Sequence, residues 1–203
     1  MDADPVEIRV LGCLIEKQRT TPDTYPLTLN SLRLACNQAT NRDPVVEYDE
    51  ETIRDALQRL WRKEWARLAS GQGSRSVKYR QLVQEKLSLG DDEISVLCVL
   101  MLRGPQTPGE LKLRTDRLHP FGVLSEVEET LERLIARELV VRLDRRPGQK
   151  EERYVQLLGG DIVESAQDDS LRPVVASDPL EARVAALEEE VAALRAALSE
   201  LGL

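Results

Sequence analysis

Few residues in this chain have the types and spacing that catalysis needs. His119 is the only histidine, so no Ser-His-Asp set is indicated. The cysteines, Cys13, Cys36 and Cys98, sit far apart, each within an apolar helical run, and no C-x₂-C spacing offers a metal site. They read as buried reduced thiols, since a free cysteine behaves as a small hydrophobe. "SGQGS" is glycine-rich but falls between strands and lacks the lysine of a phosphate loop. Carboxylates are plentiful, yet they cluster at helix starts, where they neutralise the helix dipole. The expectation is a non-enzyme without metal or cofactor.

The basic residues suggest a different chemistry, neutralisation of phosphate. Arg59, Arg62 and Lys63 lie on one expected helix, Arg75, Lys78 and Arg80 on the hairpin after it, and Arg145, Arg146 and Lys150 on a second hairpin. Such side chains give sequence-independent affinity for nucleic acid. Against this, the helix starts that would read bases carry Asp49, Glu50, Glu51 and Asp55 in one place and Glu126, Glu128 and Glu129 in the other. Carboxylates there repel phosphate, and acid first, base last is what dipole compensation produces by itself. "NQATNRDP", residues 37–44, reads as an interhelical turn pinned by side-chain hydrogen bonds. The alternative is a polar contact surface with Asn37, Gln38, Asn41 and Arg42 facing outward.

The elements that must carry these residues repeat. Asp4-Pro5-Val6-Glu7 is a capping box with proline at the first helical position. Ile8, Leu11, Leu14 and Ile15 follow on one face. A second helix starts near Thr28 with Leu29, Leu32, Ala35 and Cys36 inward. A third starts near Asp49, where Tyr48 and Ile53 form a hydrophobic staple, and carries Ile53, Leu57, Leu60 and Trp61 as its apolar stripe. Ala66–Ala69 and 77–82 form a hairpin. The series then recurs: a helix over 91–102, a capping box at Thr107-Pro108-Gly109-Glu110, and another at 125–128. The last opens a helix with Val127, Leu131, Leu134 and Ile135 inward, and a hairpin follows. "LQRLWRKEWARL" aligns with "LERLIARELVVRL", and "VKYRQL" with "ERYVQL". Two units of roughly 75 residues, each three helices and a hairpin, make a mainly α chain with small β-hairpin wings, a tandem winged helix. The expected boundaries are 1–88, 89–158, an acidic linker over 159–178 and a C-terminal helix over 179–203.

These strings also resemble a known family. "YPLTLNSLRLACNQATNRDPV", "SRSVKYR" and "LCVLMLRGPQTPGELKLRTDRLHPF" are similar to those of the YceH-like bacterial proteins, over about residues 5–158. The resemblance implies a tandem winged-helix fold and brings no catalytic or ligand residues with it.

The net charge of −8 is concentrated at the end of the chain, which leaves the body free to meet an anion. Residues 180–201 place Leu180, Val184, Leu187, Val191, Leu194, Leu198 and Leu201 in an alternating four-three step, a heptad seam suited to a parallel two-stranded coiled coil. The expectation is a homodimer held partly by that helix, the alternative being a single amphipathic helix folded back onto the body, in a cytoplasmic protein without a membrane segment. On sequence, nucleic-acid binding with a regulatory role leads, with a protein–protein adaptor as the alternative.

Overall fold

The computed structural model describes residues 3–69, 76–145 and 151–159, which fall within one compact unit. Its centre is a pair of helices whose sequences are apolar nearly all round. In α1 (Pro5–Thr20), Ile8, Val10, Leu11, Cys13, Leu14 and Ile15 are buried, and in α5 (Asp91–Arg103) everything from Ile94 to Leu102 is buried. Helices without a polar face must be surrounded, and these two pack on each other. They pack tightly at Gly12. A Cβ there would lie 2.9 Å from Leu102 Cδ2 and 3.2 Å from Met101 Cβ, so only glycine fits without displacement. The Cys98 thiol donates to the Gly12 carbonyl at 3.4 Å.

Each central helix starts a half of the unit. In the first, a 3-10 turn (Pro22–Thr24) leads to β1 (Leu27–Thr28), α2 (Leu29–Cys36), α3 (Glu50–Arg62), β2 (Ala66–Leu68) and β3 (Lys78–Gln81), with the short α4 (Val83–Lys86) following. The antiparallel sheet has the order β1-β3-β2. In the second, α6 (Pro108–Thr115), α7 (Leu124–Ala136), β4 (Val140–Leu143) and β5 (Arg153–Gln156) follow α5. Gln106 bridges Tyr154 where β1 pairs in the first half. The protein is mainly helical with small antiparallel sheets; β1, α4 and the Gln106 bridge lie outside the sequence expectation. A two-residue strand is too short to leave a periodic signal.

The caps agree with the sequence in two of three boxes. Asp4 accepts from Glu7 N at 2.8 Å while Glu7 accepts from Asp4 N at 2.9 Å. Thr107 and Glu110 do the same at 3.2 and 2.9 Å. The box expected at Ser125 does not form. α7 begins two residues earlier behind Val123, which has no side-chain acceptor, and the Glu126 carboxylate instead accepts from Gly122 N at 2.7 Å. α3 and α7 end alike. Glu64 and Glu138 turn the chain at φ 59° and 55°, and the next residue returns a hydrogen bond, Trp65 N to Leu60 O at 2.9 Å and Leu139 N to Leu134 O at 3.0 Å.

Candidate functional site

α3 has two faces of different character. Ile53, Ala56, Leu57 and Leu60 are buried, the i, i+3, i+4, i+7 stripe of a core-facing helix. Arg54, Asp55, Gln58, Trp61 and Arg62 are exposed. The sequence assigns Trp61 to the buried stripe, and the structure overturns this: its side chain is 65% exposed. The stripe is already complete at Leu60, and the turn at Glu64 brings Trp65 into the core instead, 6% exposed. Beyond it, Leu68 and Val77 on β2 and before β3 are also exposed, 58% and 50%. Strand register puts Leu68 opposite Tyr79 on the face that carries buried Leu27 and Ala66, so these side chains extend the core face past the core. The other face carries Arg67 directly opposite Arg80, with Lys78 two residues from Arg80.

Most of the sequence-predicted cations in view have carboxylate partners. Arg59 pairs with Asp4 at 2.7 Å, and Lys63 with Glu7 at 2.8 Å. Glu7 is buried, so these bonds fasten α3 to the start of α1. Arg80 pairs with Glu85 at 2.6 Å and Arg145 with Glu152 at 3.3 Å. Arg62 is exposed, and Lys78 is half-buried on β3. Arg75, Arg146 and Lys150 lie outside the described residues, as do Leu180, Val184, Leu187, Val191, Leu194, Leu198 and Leu201.

The equivalent face of α7 is acidic. Glu126, Glu128, Glu129 and Glu132 are exposed, while Arg133 reaches Asp92 and Arg137 reaches Glu93 at 3.2 Å. Carboxylates crowd the position from which a helix would approach a phosphate backbone, and they repel it.

The connection between α2 and α3 is held from within. Asn37 donates to Tyr48 O at 2.8 Å and accepts from Tyr48 N at 2.9 Å, closing the loop like a clasp. Arg42 is buried and its donors are matched. Nε donates to Ala35 O at 3.1 Å, the two terminal nitrogens to Glu16 at 3.0 and 2.6 Å, and further bonds reach Asn41 O and Gln38. Arg9, also buried, donates to Cys36 O at 3.1 Å and Pro44 O at 2.6 Å. The outward contact surface considered for residues 37–42 is therefore corrected for Asn37 and Arg42, which face the protein. Burial pushes the Glu16 carboxyl up, but hydrogen bonding and charge from Arg42 more than reverse this, and its pKa lies below the ordinary carboxylate value. The three cysteines are free and buried, as expected. Burial raises the Cys98 thiol well above its usual pKa, which disfavours the thiolate.

Trp61, Leu68 and Val77 were absent from the sequence candidates. Periodicity gave no outward signal for Trp61, which falls at i+8 of the stripe that begins at Ile53.

A family model described as "Protein of unknown function, DUF480" matches residues 3–149. A UPF0502 protein of Solibacter usitatus (strain Ellin6076) is 49% identical, covering 97% of this chain and 95% of that protein. A UPF0502 protein of Pelobacter propionicus is 50% identical, covering 93% and 88%. The UPF0502 protein YceH of Salmonella paratyphi A is 46% identical, covering 96% and 94%. Among the described residues no helix is long and apolar enough to cross a membrane.

Proposed function

The chain belongs to the DUF480 family, the uncharacterised UPF0502 proteins that include YceH, and from its own surface we propose that it is a tandem winged-helix adaptor that binds another protein through α3 and the following hairpin. The winged-helix reading is supported by the order helix, strand, helix, helix, strand, strand, with the last strand central in the sheet, and by its partial repetition after α5.

One observation carries the choice of partner. On α3 and its hairpin, Arg59, Lys63 and Arg80 are engaged by Asp4, Glu7 and Glu85, while Trp61, Leu68 and Val77 stand exposed. An exposed tryptophan on α3 with exposed aliphatic side chains on the hairpin after it is the composition of a binding hot spot, not of a phosphate track. Arg54, Asp55 and Arg62 are exposed on the same helix as Trp61, so the partner is a protein surface with apolar anchors and a polar rim of mixed charge. Capture of a partner by the full chain should survive nuclease treatment and be lost in Trp61→Ala and Leu68→Ser, with both variants melting like the wild type. Capture that disappears with nuclease, or that ignores Trp61 and Leu68, rejects this reading.

Nucleic-acid binding remains the second reading because Arg67 and Arg80 face each other across the hairpin. Like charges opposite one another destabilise a sheet, and Glu85 offsets only Arg80. Under this reading, Arg67→Ala and Lys78→Ala weaken binding on every sequence. Each reduces the log–log salt slope by about 0.9 per lost phosphate contact.

A further inference from the structure

A cleft of about 720 Å³ opens between the two halves, bounded by the end of α1, the α2–α3 loop, the end of α5 and the end of α6. That size suits a small organic ligand, for which pockets of roughly 300–1,000 Å³ are usual. Val99 and Leu102 on α5, with the exposed Leu113 of α6, give it an apolar lining. Four cations border it, Lys17, Arg103, Arg114 and Arg117, against two carboxylates, Glu16 and Asp116.

The state of those charges decides what the cleft suits. Glu16 is already bound by Arg42 at 2.6 Å and by Lys17 at 3.1 Å, so it has little capacity left for a cationic ligand. Arg114 meets Glu110 within its own helix at 3.4 Å. Arg103 donates to the neutral side chain of Asn41, and no carboxylate pairs with it among the described residues. Burial lowers the pKa of Arg103, and the positive charges of Arg114 and Arg42 lower it further. The helix dipole explains a cation at each helix end, a stabilisation of about 0.3–1 kcal/mol. It does not explain why three such ends bring cations around one partly apolar concavity while Arg103 keeps only a neutral partner.

We propose that this cleft binds a small organic anion, with a carboxylate or phosphate head held by the Arg103 and Arg114 guanidinium groups and an apolar body laid on Val99, Leu102 and Leu113. Planar guanidinium groups bind such heads through paired N–H donors.

The test uses full-length protein and 8-anilinonaphthalene-1-sulfonate, an anionic fluorophore with an apolar body. Its fluorescence should rise and saturate with a Kd below about 1 mM at low salt. Octanoate or phenyl phosphate should displace it, and whichever competes better identifies the head group. Arg103→Gln/Arg114→Gln should weaken binding at least about tenfold, whereas Arg133→Gln, at a distant ion pair, should not. Melting curves show whether the double variant keeps its fold, and Leu113→Asp provides a second disruption at an exposed position. No saturable binding, no displacement by either competitor, or wild-type affinity in both the double variant and Leu113→Asp overturns the proposal.

Discussion

Under α3, Leu57, Leu60 and Trp65 close the core; under α7, Leu131, Leu134 and Leu139 take the corresponding places, and all six are buried. Glu64 and Glu138 even share the same unusual backbone turn. The outward faces share an exposed carboxylate at the aligned Asp55 and Glu129 but differ around it. α3 shows Arg54, Trp61 and Arg62, and α7 shows Glu126, Glu128, Glu129 and Glu132. At the aligned pair Trp61 and Ile135, the tryptophan is exposed and the isoleucine packs partly against the core. Buried positions are held by packing, where each lost methylene is felt, while exposed positions are free to diverge. The same backbone device thus supports two surfaces of different composition.

The largest expected effect falls on a feature of the first half, the buried Arg42 and Glu16 pair. Arg42→Met should cost about 3–5 kcal/mol in urea unfolding at neutral pH, because Glu16 loses its partner and several carbonyls lose a donor. The sign with pH follows from the depressed Glu16 pKa. The stabilisation is complete above the unfolded carboxyl value and is lost as pH falls through the lower folded value, where protonation ends the attraction. The wild type should therefore lose stability on the acid side more steeply than the variant. Parallel acid limbs would show that the pair contributes nothing.

Next come the two equivalent leucines. Leu57→Ala and Leu131→Ala should each cost about 2–5 kcal/mol. A loss under about 0.5 kcal/mol at either position would break the equivalence of the halves.

A smaller gain is expected where the helices end. Glu138→Gly should stabilise by about 0.4–1 kcal/mol, since glycine adopts the positive φ of 55° without steric penalty. Glu64→Gly should gain less, because it also removes an ion pair to Lys86. The comparison is made by thermal melting, and a loss in both variants would mean that the glutamate side chains matter more than the backbone.

The smallest effect on stability sharpens the contrast between the faces. Trp61→Ala should change stability by less than about 0.5 kcal/mol, being largely exposed, whereas Ile135→Ala, partly packed on the core, should cost more. Reversal of that order would return Trp61 to a packing role.

Much of this architecture was legible because it is local. The boxes at Asp4 and Thr107, the stripe through Ile53, Leu57 and Leu60, and the alternation around β3 are set by neighbours a few residues apart, and sequence periodicity reports such neighbours directly. Alignment of the two halves was legible for the same reason, and so was the inward pull on Cys13, Cys36 and Cys98. The tertiary structure decided the rest, where the partner is distant. Glu7 reaches Lys63 across 56 residues, Glu16 reaches Arg42 across 26, and Asp43 N finds Leu102 O on the other half. A cation on a helix looks the same in sequence whether a carboxylate from another element waits beside it or not. Trp61 likewise looks like core until the turn at Glu64 brings Trp65 into its place. The cleft beside Arg103 exists only where the ends of α1, α5 and α6 meet the α2–α3 loop, a fact of packing that the spacing of residues along any one helix does not contain.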